Sequence, residues 1–548
     1  MEISRVLRAG FRRNNLEKRG LSAMIPGSIM CSRGFRPSFC SLPILLAGAA
    51  ACLGAAPERS VTFTEEIAPI VFKHCAPCHR PGEAAPFPLL SYDDVKKRSR
   101  LIAKVTSEHV MPPWHADESD FVFQDDLRLK PDQIESFRKW FDQGAVEGPA
   151  SKLPPAPKFS QGWQLGEPDL IVSMSQPFDV PAEGRDIYHS FVIPLDLPED
   201  KWVRGIEFRP SAPSVVHHSL FFYDTTGKAG QMSGRGGAPG FRFLGGDGLG
   251  AGSLGGWALG GIPKFLPDGL AFRLPKGASL LLSTHFHPSG KAEQERSTVG
   301  IYFAADPPRD SFTGIQLPPA FGALSGVDIP AGAAQYTVKD SFELPIDVEA
   351  FGVSGHAHYL GRQMKLTATP PGGPVQNLVW IKNWEFSWQE NYAYRDFVKL
   401  PKGTRLDVTI TWDNSTNNLN NPSHPPKRVR WGPQSEDEMG SMTLLVRAAR
   451  AAEMPLLQAA LRQHAADLTL AAGSRWLRER GLNLGNLVQN LLSTNDRNGD
   501  NQLERGEAPR WLARSFDLLD VNHDGVLDLA ELEAGEQRLR QRLGGGSE

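Results

Sequence analysis

The chain has 548 residues, enough for about three to five domains at roughly 100–200 residues each, so a single small module is excluded. Hydrophobic residues make up 40% and charged residues 22%, with 54 Gly and 44 Pro, a composition that fits a turn-rich globular protein and not a coiled coil or a disordered tail. The 59 basic and 62 acidic side chains nearly cancel, which removes a global basic field as a reason to expect nucleic acid, and the five cysteines end at Cys78, so the body cannot depend on disulfides.

Residues 1–56 read as an export signal. A stretch rich in Arg and Lys precedes the apolar run Leu42–Ala56, which ends in small residues and is short for a membrane span. Met30 offers a downstream start, and an uncleaved N-terminal anchor is the alternative. Lipidation at Cys52 is not expected, because Ala49 stands where Leu is usual. The body is expected to be exported, periplasmic or extracellular, with no membrane contact beyond such an anchor or lipid.

From Val61 to Gly148 the apolar stripes of EEIAPIVFKHC, YDDVKKRSRLIAKVTSEH and KPDQIESFRKWFDQGA predict a small all-α unit, assigned to residues 57–150. Inside it, Cys75-Ala-Pro-Cys78-His79 is C-x-x-C-H, in which two thiols attach a haem covalently and the adjacent His becomes an axial iron ligand. A redox C-x-x-C or half of a zinc site fits less well, because there is no second cysteine pair and no βαβ pattern. The other axial position calls for a soft or imidazole donor. Met111, opening Met-Pro-Pro-Trp, is the candidate, with His109 and His115 on either side and His74 next to the motif. The unit resembles class I c-type cytochromes, which implies one-electron transfer.

A Pro-rich linker, residues 151–164, leads into short alternating segments such as WVRGIEFRP and TRLDVTITWDN, the pattern of antiparallel sandwiches. The length suits two of them, with a seam at the LPPAFGAL stretch, giving 165–320 and 321–447. Between Gly227 and Gly261 the glycine density predicts a long loop without a packed element. Six histidines fall in three pairs: His217-His218, His285-Phe-His287 and His356-Ala-His358. On a strand, residues two apart share a face, so the last two pairs can each address one point. Adjacent His217 and His218 need a strand end or bulge to converge. Spacing leaves the grouping open. Imidazole suits zinc, copper and iron alike, and a thioether among the donors would favour copper.

In chain order, VVHHSLFF, LLSTHFHPSG, SGHAHYLGRQM and RWGPQSEDEMGSMTLL resemble the successive metal motifs of the copper type II monooxygenases, the family of peptidylglycine α-hydroxylating monooxygenase and dopamine β-monooxygenase. The resemblance spans about residues 165–447. It implies one copper on His217, His218 and His285 and a second on His356, His358 and Met439, with His287 a neighbour. It also implies O2-dependent hydroxylation of a C–H bond at the second copper, the first supplying an electron. The region departs from animal members in lacking cysteine. Ser354, Ser441 and Thr443 replace the Arg, Asn and Tyr of peptide-amidating members, so peptide amidation is not expected. The substrate, small-molecule or peptide-like, is left open. The fused haem is expected to pass electrons to the all-imidazole copper in place of an ascorbate-like reductant.

Helix formers return at 448–483, and residues 484–548 carry two twelve-residue loops of EF-hand type. The first offers calcium Asp496, Asn498, Asp500, Gln502 and Glu507; the second offers Asp520, Asn522, Asp524, Val526 and Glu531. Asn501 replaces the usual Gly and tolerates the left-handed conformation. The loops are close enough that one short helix is expected to serve both, with calcium as a structural ion. The expected whole is multidomain and mainly β: a cytochrome c unit, two sandwiches and an EF-hand pair in an exported copper monooxygenase. The alternative is a haem and copper electron-transfer or copper-binding protein without hydroxylase activity.

Overall fold

The computed structural model describes residues 60–83, 85–159, 162–234, 237–242, 252–259, 261–479, 487–513 and 516–544. The expected export signal lies outside them. No helix among the described residues is long and apolar enough to cross a membrane.

The chain is multidomain, with helices at either end of several antiparallel sheets. Near the start, Thr62 caps a turn at Phe63–Ile67: its hydroxyl accepts the Glu65 N–H while the Glu66 carboxylate accepts the Thr62 N–H at 2.8 Å. The turn runs into α1 (Ala68–His74), followed by α2 (Tyr92–Lys96), α3 (Ser99–Ser107) and α4 (Pro131–Asp142). Phe63, Ile67, Val71, Val95, Ile102, Phe137 and Trp140 form their shared core.

The first group of strands is β1 (Leu170–Ser173), β2 (Phe178–Val180), β3 (Ile187–Pro194), β4 (Lys201–Arg209), β5 (Val216–Asp224), β6 (Gly252–Ala258), β7 (Phe272–Leu274), β8 (Ser279–Phe286), β9 (Glu293–Glu295) and β10 (Thr298–Phe303). Two four-stranded sheets, β3-β8-β5-β6 and β1-β10-β4-β7, face each other across one apolar core, as at Phe208 and Phe221, whose rings are 5.6 Å apart. The glycine-rich stretch is not the structureless loop expected. It contains α5 (Lys228–Met232) and the strand β6, which pairs with β5 from His218–Ala258 to Tyr223–Gly252. Glycine is what lets β6 approach: a Cβ on Gly252 would run into the Tyr223 ring, and one on Gly256 would press on Leu220.

The second group is β11 (Phe312–Leu317), β12 (Asp328–Ile329), β13 (Tyr336–Glu343), β14 (Val348–Ala357), β15 (Gly361–Thr369), β16 (Gln376–Ile381), β17 (Asn391–Leu400), β18 (Arg405–Trp412), β19 (Val429–Arg430) and β20 (Gly440–Ala448). Its sheets are β11-β20-β14-β17 and β13-β18-β15-β16, with Val353, Leu444 and Val446 of one packed with Leu366, Val408 and Ile410 of the other. Because β11 pairs with β20, the boundary expected at 320 falls inside the second sandwich, and the chain crosses over between Phe303 and Phe312.

The helical start is not free-standing either. Residues 114–127 form a strap along the second sandwich, with Glu118 bridged to Trp380 on β16 and Phe123 to Tyr394 on β17. Trp114, Ala116 and Phe123 are buried in that sandwich's core.

After β20 comes α6 (Met454–Glu479), whose Met454 and Leu457 enter the same core and whose buried His464 meets Asp340 of β13 at 2.9 Å. Beyond it lie α7 (Leu487–Asn495), β21 (Leu503–Glu504), α8 (Arg510–Ala513), α9 (Phe516–Leu519), β22 (Val526–Leu527) and α10 (Leu529–Gly544). Among the described residues, α8 and α9 lie between the acidic loops, where one short helix is expected from the sequence.

Candidate metal centre

The three histidine pairs sit at strand ends where the two sandwiches meet. On β5, Val216 opposes Phe286 of β8 and His218 opposes His285, so His217 is the extra residue of a bulge. That bulge turns neighbouring side chains toward one point. The ligand nitrogens of His217, His218 and His285 all lie within 4.8 Å of one another. The ring of His285 is 4.9 Å from each of the other two.

Hydrogen bonds select the nitrogens. His217 Nε2 donates to the Phe386 carbonyl at 3.1 Å, which leaves its Nδ1 a bare lone pair, 3.0 Å from His218 Nδ1. That spacing is near the roughly 3.3 Å edge of a tetrahedral centre with metal–nitrogen bonds of about 2.0–2.1 Å. His285 Nε2 lies 3.0 Å from Asp186 Oδ2, so Nδ1 is its inward nitrogen, and Tyr188 stacks on the ring at 4.3 Å. Asp186 also takes His287 Nδ1 at 2.8 Å, which fixes His287 beside the triad and not in it. Burial alone would raise the Asp186 pKa, but the bonds from His285 and His287 hold this carboxyl well below the usual range.

His356 and His358 end β14. The ladder to β20 closes at Ala357–Gly440, so His358 and Met439 are the residues immediately beyond the last pair on either strand. Met439 is buried. Gly440 permits this approach, because a Cβ there would meet the Trp412 ring. His356 Nδ1 is 2.6 Å from Gln389 Oε1 and His358 Nδ1 is 3.1 Å from the Asp437 carbonyl, so both protons sit on Nδ1 and both Nε2 atoms are free for a metal. Burial, with lesser effects from neighbouring rings, lowers the His356 pKa to about 4 and that of His358 to about 3, and it takes His217 and His218 well below their ordinary value. All four are neutral donors at neutral pH. The His218 and His356 rings, both only partly buried, face each other 6.4 Å apart across the junction, and Phe321 lies 5.2 Å from His356.

The Cys75–His79 loop leaves α1 directly. The His79 N–H donates to the Cys75 carbonyl at 2.9 Å, and His79 Nδ1 lies 3.0 Å from the Phe87 carbonyl, which puts the proton on Nδ1 and the lone pair on Nε2. Burial pushes the Cys75 thiol up to about 12 and, aided by the Glu83 and Glu390 charges, Cys78 up to about 11, so neither is a ready thiolate. Met111 follows α3 with its N–H on Val105. His74 is committed to the Leu127 carbonyl at 3.2 Å, whereas the buried Nε2 of His115 has no hydrogen-bond partner.

In the acidic loops, Asp496 accepts the Gly499 and Asn501 N–H groups, Glu507 accepts that of Arg497, and Asn498 and Asp500 accept those of Asp500 and Gln502. The second loop repeats the plan: Asp520 accepts from Asp524 and Gly525, Asn522 from Asp524, Asp524 from Val526, and Glu531 from Val521. Asn501 is left-handed, φ 60°, as its position requires, and β21 pairs with β22 to join the loops.

Sequence reasoning did not find Asp186, Gln389, Phe386 or the strap, all remote in the chain from the rings they serve. No protein-family profile matches the sequence, and no curated protein matches it. Among solved structures it is similar to the VP2 subviral particle of infectious bursal disease virus and to that virus's Gx strain, each at 9% identity and TM-score 0.15 over 53% of this chain and 74% of the other. A likeness at that level carries no inference about fold or function.

Proposed function

We propose that the chain is an exported copper-dependent monooxygenase that hydroxylates a C–H bond of a small-molecule or peptide-like substrate with O2, fed by a covalently attached haem. The observation that carries this is the pair of unlike donor sets meeting at one junction: three converging imidazoles on one side, and two imidazoles flanking the strand end beside Met439 on the other. His217, His218 and His285 would hold one copper through Nδ1; His356, His358 and Met439 would hold the other. Bound copper would supply one-electron redox chemistry and activation of O2.

The protein's own part is positioning. Asp186, the Phe386 and Asp437 carbonyls and Gln389 fix which nitrogen of His285, His217, His358 and His356 carries the proton, so four of the five imidazole lone pairs are set before metal arrives. Tyr188 and Phe386 cover the outer faces of His285 and His217, leaving the gap between His218 and His356 as the approach for substrate. Cys75, Cys78 and His79 would hold the haem, with Met111 as the candidate for a second iron ligand and His115, with its unpartnered Nε2, as the rival. The EF-hand loops would take calcium through Asp496, Asn498, Asp500, Gln502 and Glu507 and through Asp520, Asn522, Asp524, Val526 and Glu531.

Oxygen uptake by the copper-loaded, haem-reduced protein, assayed with a panel of hydroxylatable compounds and paired with metal analysis, tests the reading. Two coppers per chain and substrate-dependent uptake are expected. Bound copper without uptake would instead support the electron-transfer alternative, and absence of copper would refute both.

A further inference from the structure

The β14–β20 ladder stops at the Ala357–Gly440 pair, so beyond it the sheet no longer ties His358 to Met439. A side chain takes over at that point. Glu438, fully buried, accepts the His358 N–H on Oε2 at 3.0 Å and the Leu360 N–H on Oε1 at 2.6 Å. The same Oε2 accepts the indole N–H of Trp412, the last residue of β18, at 2.9 Å. On its other side the Glu438 backbone is held by β19 and the residues after it: its N–H donates to the Arg430 carbonyl at 3.0 Å, and its carbonyl accepts the Gly432 N–H at 3.2 Å.

Two further contacts close the arrangement around Met439. Trp412, bonded to Glu438, also fills with its ring the space that a Cβ on Gly440 would need, so one indole lies against both neighbours of the methionine. Asp437 meanwhile presents its carbonyl to His358 Nδ1 at 3.1 Å. Three consecutive residues therefore converge on one histidine: the first holds its ring, the second its backbone, and the third carries the thioether. Burying a carboxylate is unfavourable unless hydrogen bonds compensate it. Here all three side-chain bonds go to strand ends at the histidine cluster, which is where the structure commits this charge.

We propose that Glu438 is a positioning residue whose carboxylate replaces the missing ladder bonds between His358 and Met439 and thereby sets where the thioether stands relative to the two imidazoles. This rests on the copper-bound reading above and deepens it, because Glu438 acts through the backbone and not through a ligand ring. Without the carboxylate, the His358 and Leu360 N–H groups lose their acceptor and the two strand ends are free to part, while the His358 ring keeps its bond to the Asp437 carbonyl.

The test uses the full-length protein, loaded with Cu(I) and followed by X-ray absorption and metal analysis, and the metal-free protein with labelled methionine methyl groups, followed by NMR. The unaltered chain should show one sulfur neighbour per two coppers. Glu438→Ala should lose that sulfur and weaken Cu(I) binding at the His356–His358 site about tenfold, with the triad unchanged. Glu438→Gln, which keeps the side-chain length and one acceptor oxygen, should retain part of the sulfur signal. The Met439 methyl resonance should move in both metal-free variants. Val446→Ala, which cuts into the same core on the same strand, serves as the control and should lower stability without changing the sulfur signal or that resonance. Sulfur retained in a folded Glu438→Ala protein overturns the proposal, as does equal loss in Val446→Ala. If Glu438→Ala does not fold, Glu438→Gln decides, and an unchanged sulfur signal and methyl resonance in it overturn the proposal. An unaltered chain that binds no copper, or binds it without sulfur, defeats the functional reading of this site, and the methyl resonance of the metal-free variants then decides the positioning role separately.

Discussion

The two imidazole clusters are built on different plans. The first draws three rings from neighbouring strands, needs a bulge to do so, and has an ionised carboxylate behind His285. The second takes both rings from the end of one strand, and the groups behind them are neutral, the Asp437 carbonyl and the Gln389 amide. A carboxylate behind an imidazole raises the basicity of the ligand, which favours the more highly charged metal, whereas neutral partners and a thioether favour the reduced one. The difference teaches that the two clusters are told apart by the atoms behind the rings and by Met439, since the rings themselves are chemically alike.

The strongest way to break the comparison is Met439→Ala. If the second cluster alone hosts the chemistry, substrate turnover should fall by roughly two orders of magnitude or more while most copper is retained. Turnover that survives would move the chemistry elsewhere. Asp186→Asn probes the opposite side: copper affinity of the triad should drop about 10–100-fold, with the His356–His358 site unchanged. Equal weakening of both sites in a competition titration would mean that the carboxylate acts on overall folding.

Acid separates metal-free from metal-loaded protein. His356 and His358 stay neutral in the folded chain down to about 4 and about 3, against an ordinary value of 6.5. Between those limits the unfolded chain binds more protons, so stability is full above 6.5 and is lost as pH falls toward 4. Thermal unfolding of chelator-treated protein should therefore drop by more than about 4 °C from pH 7 to pH 5. A flat profile, or the same slope with copper bound, would count against neutral buried rings. The smallest effect is expected for Phe321→Ala. This ring lies against His356 on a backbone at φ 53°, a costly conformation for a residue with a side chain, and its loss should raise KM about threefold to tenfold with little change in kcat.

Legibility in the sequence followed chain distance. The bulge at His217 was readable because two adjacent histidines cannot share a face of a regular strand, and the positive φ at Asn501 was readable from one substitution in a known loop. The strand β6 was not readable. Its glycines look like a loop in isolation and make sense only beside Tyr223 and Leu220, the bulky partners that fill the space. The sandwich boundary was missed for a related reason: LPPAFGAL breaks local pattern strongly, yet β11 before it belongs with β20, a pairing that spans more than a hundred residues. Asp186 and Gln389 are an ordinary acid and an ordinary amide until the fold brings His285 and His356 to them.

Residues 114–127 bridge β16 and β17, the outermost strands of the two sheets of the second sandwich. Left uncovered, those margins would offer unpaired N–H and C=O groups to any passing chain. A shortened protein begun at residue 165 would lose that cover together with Trp114 and Phe123 from its interior, and should self-associate more readily than the intact chain. Excising the segment with the C-x-x-C-H loop is thus a change to solubility before it is a change to any chemistry.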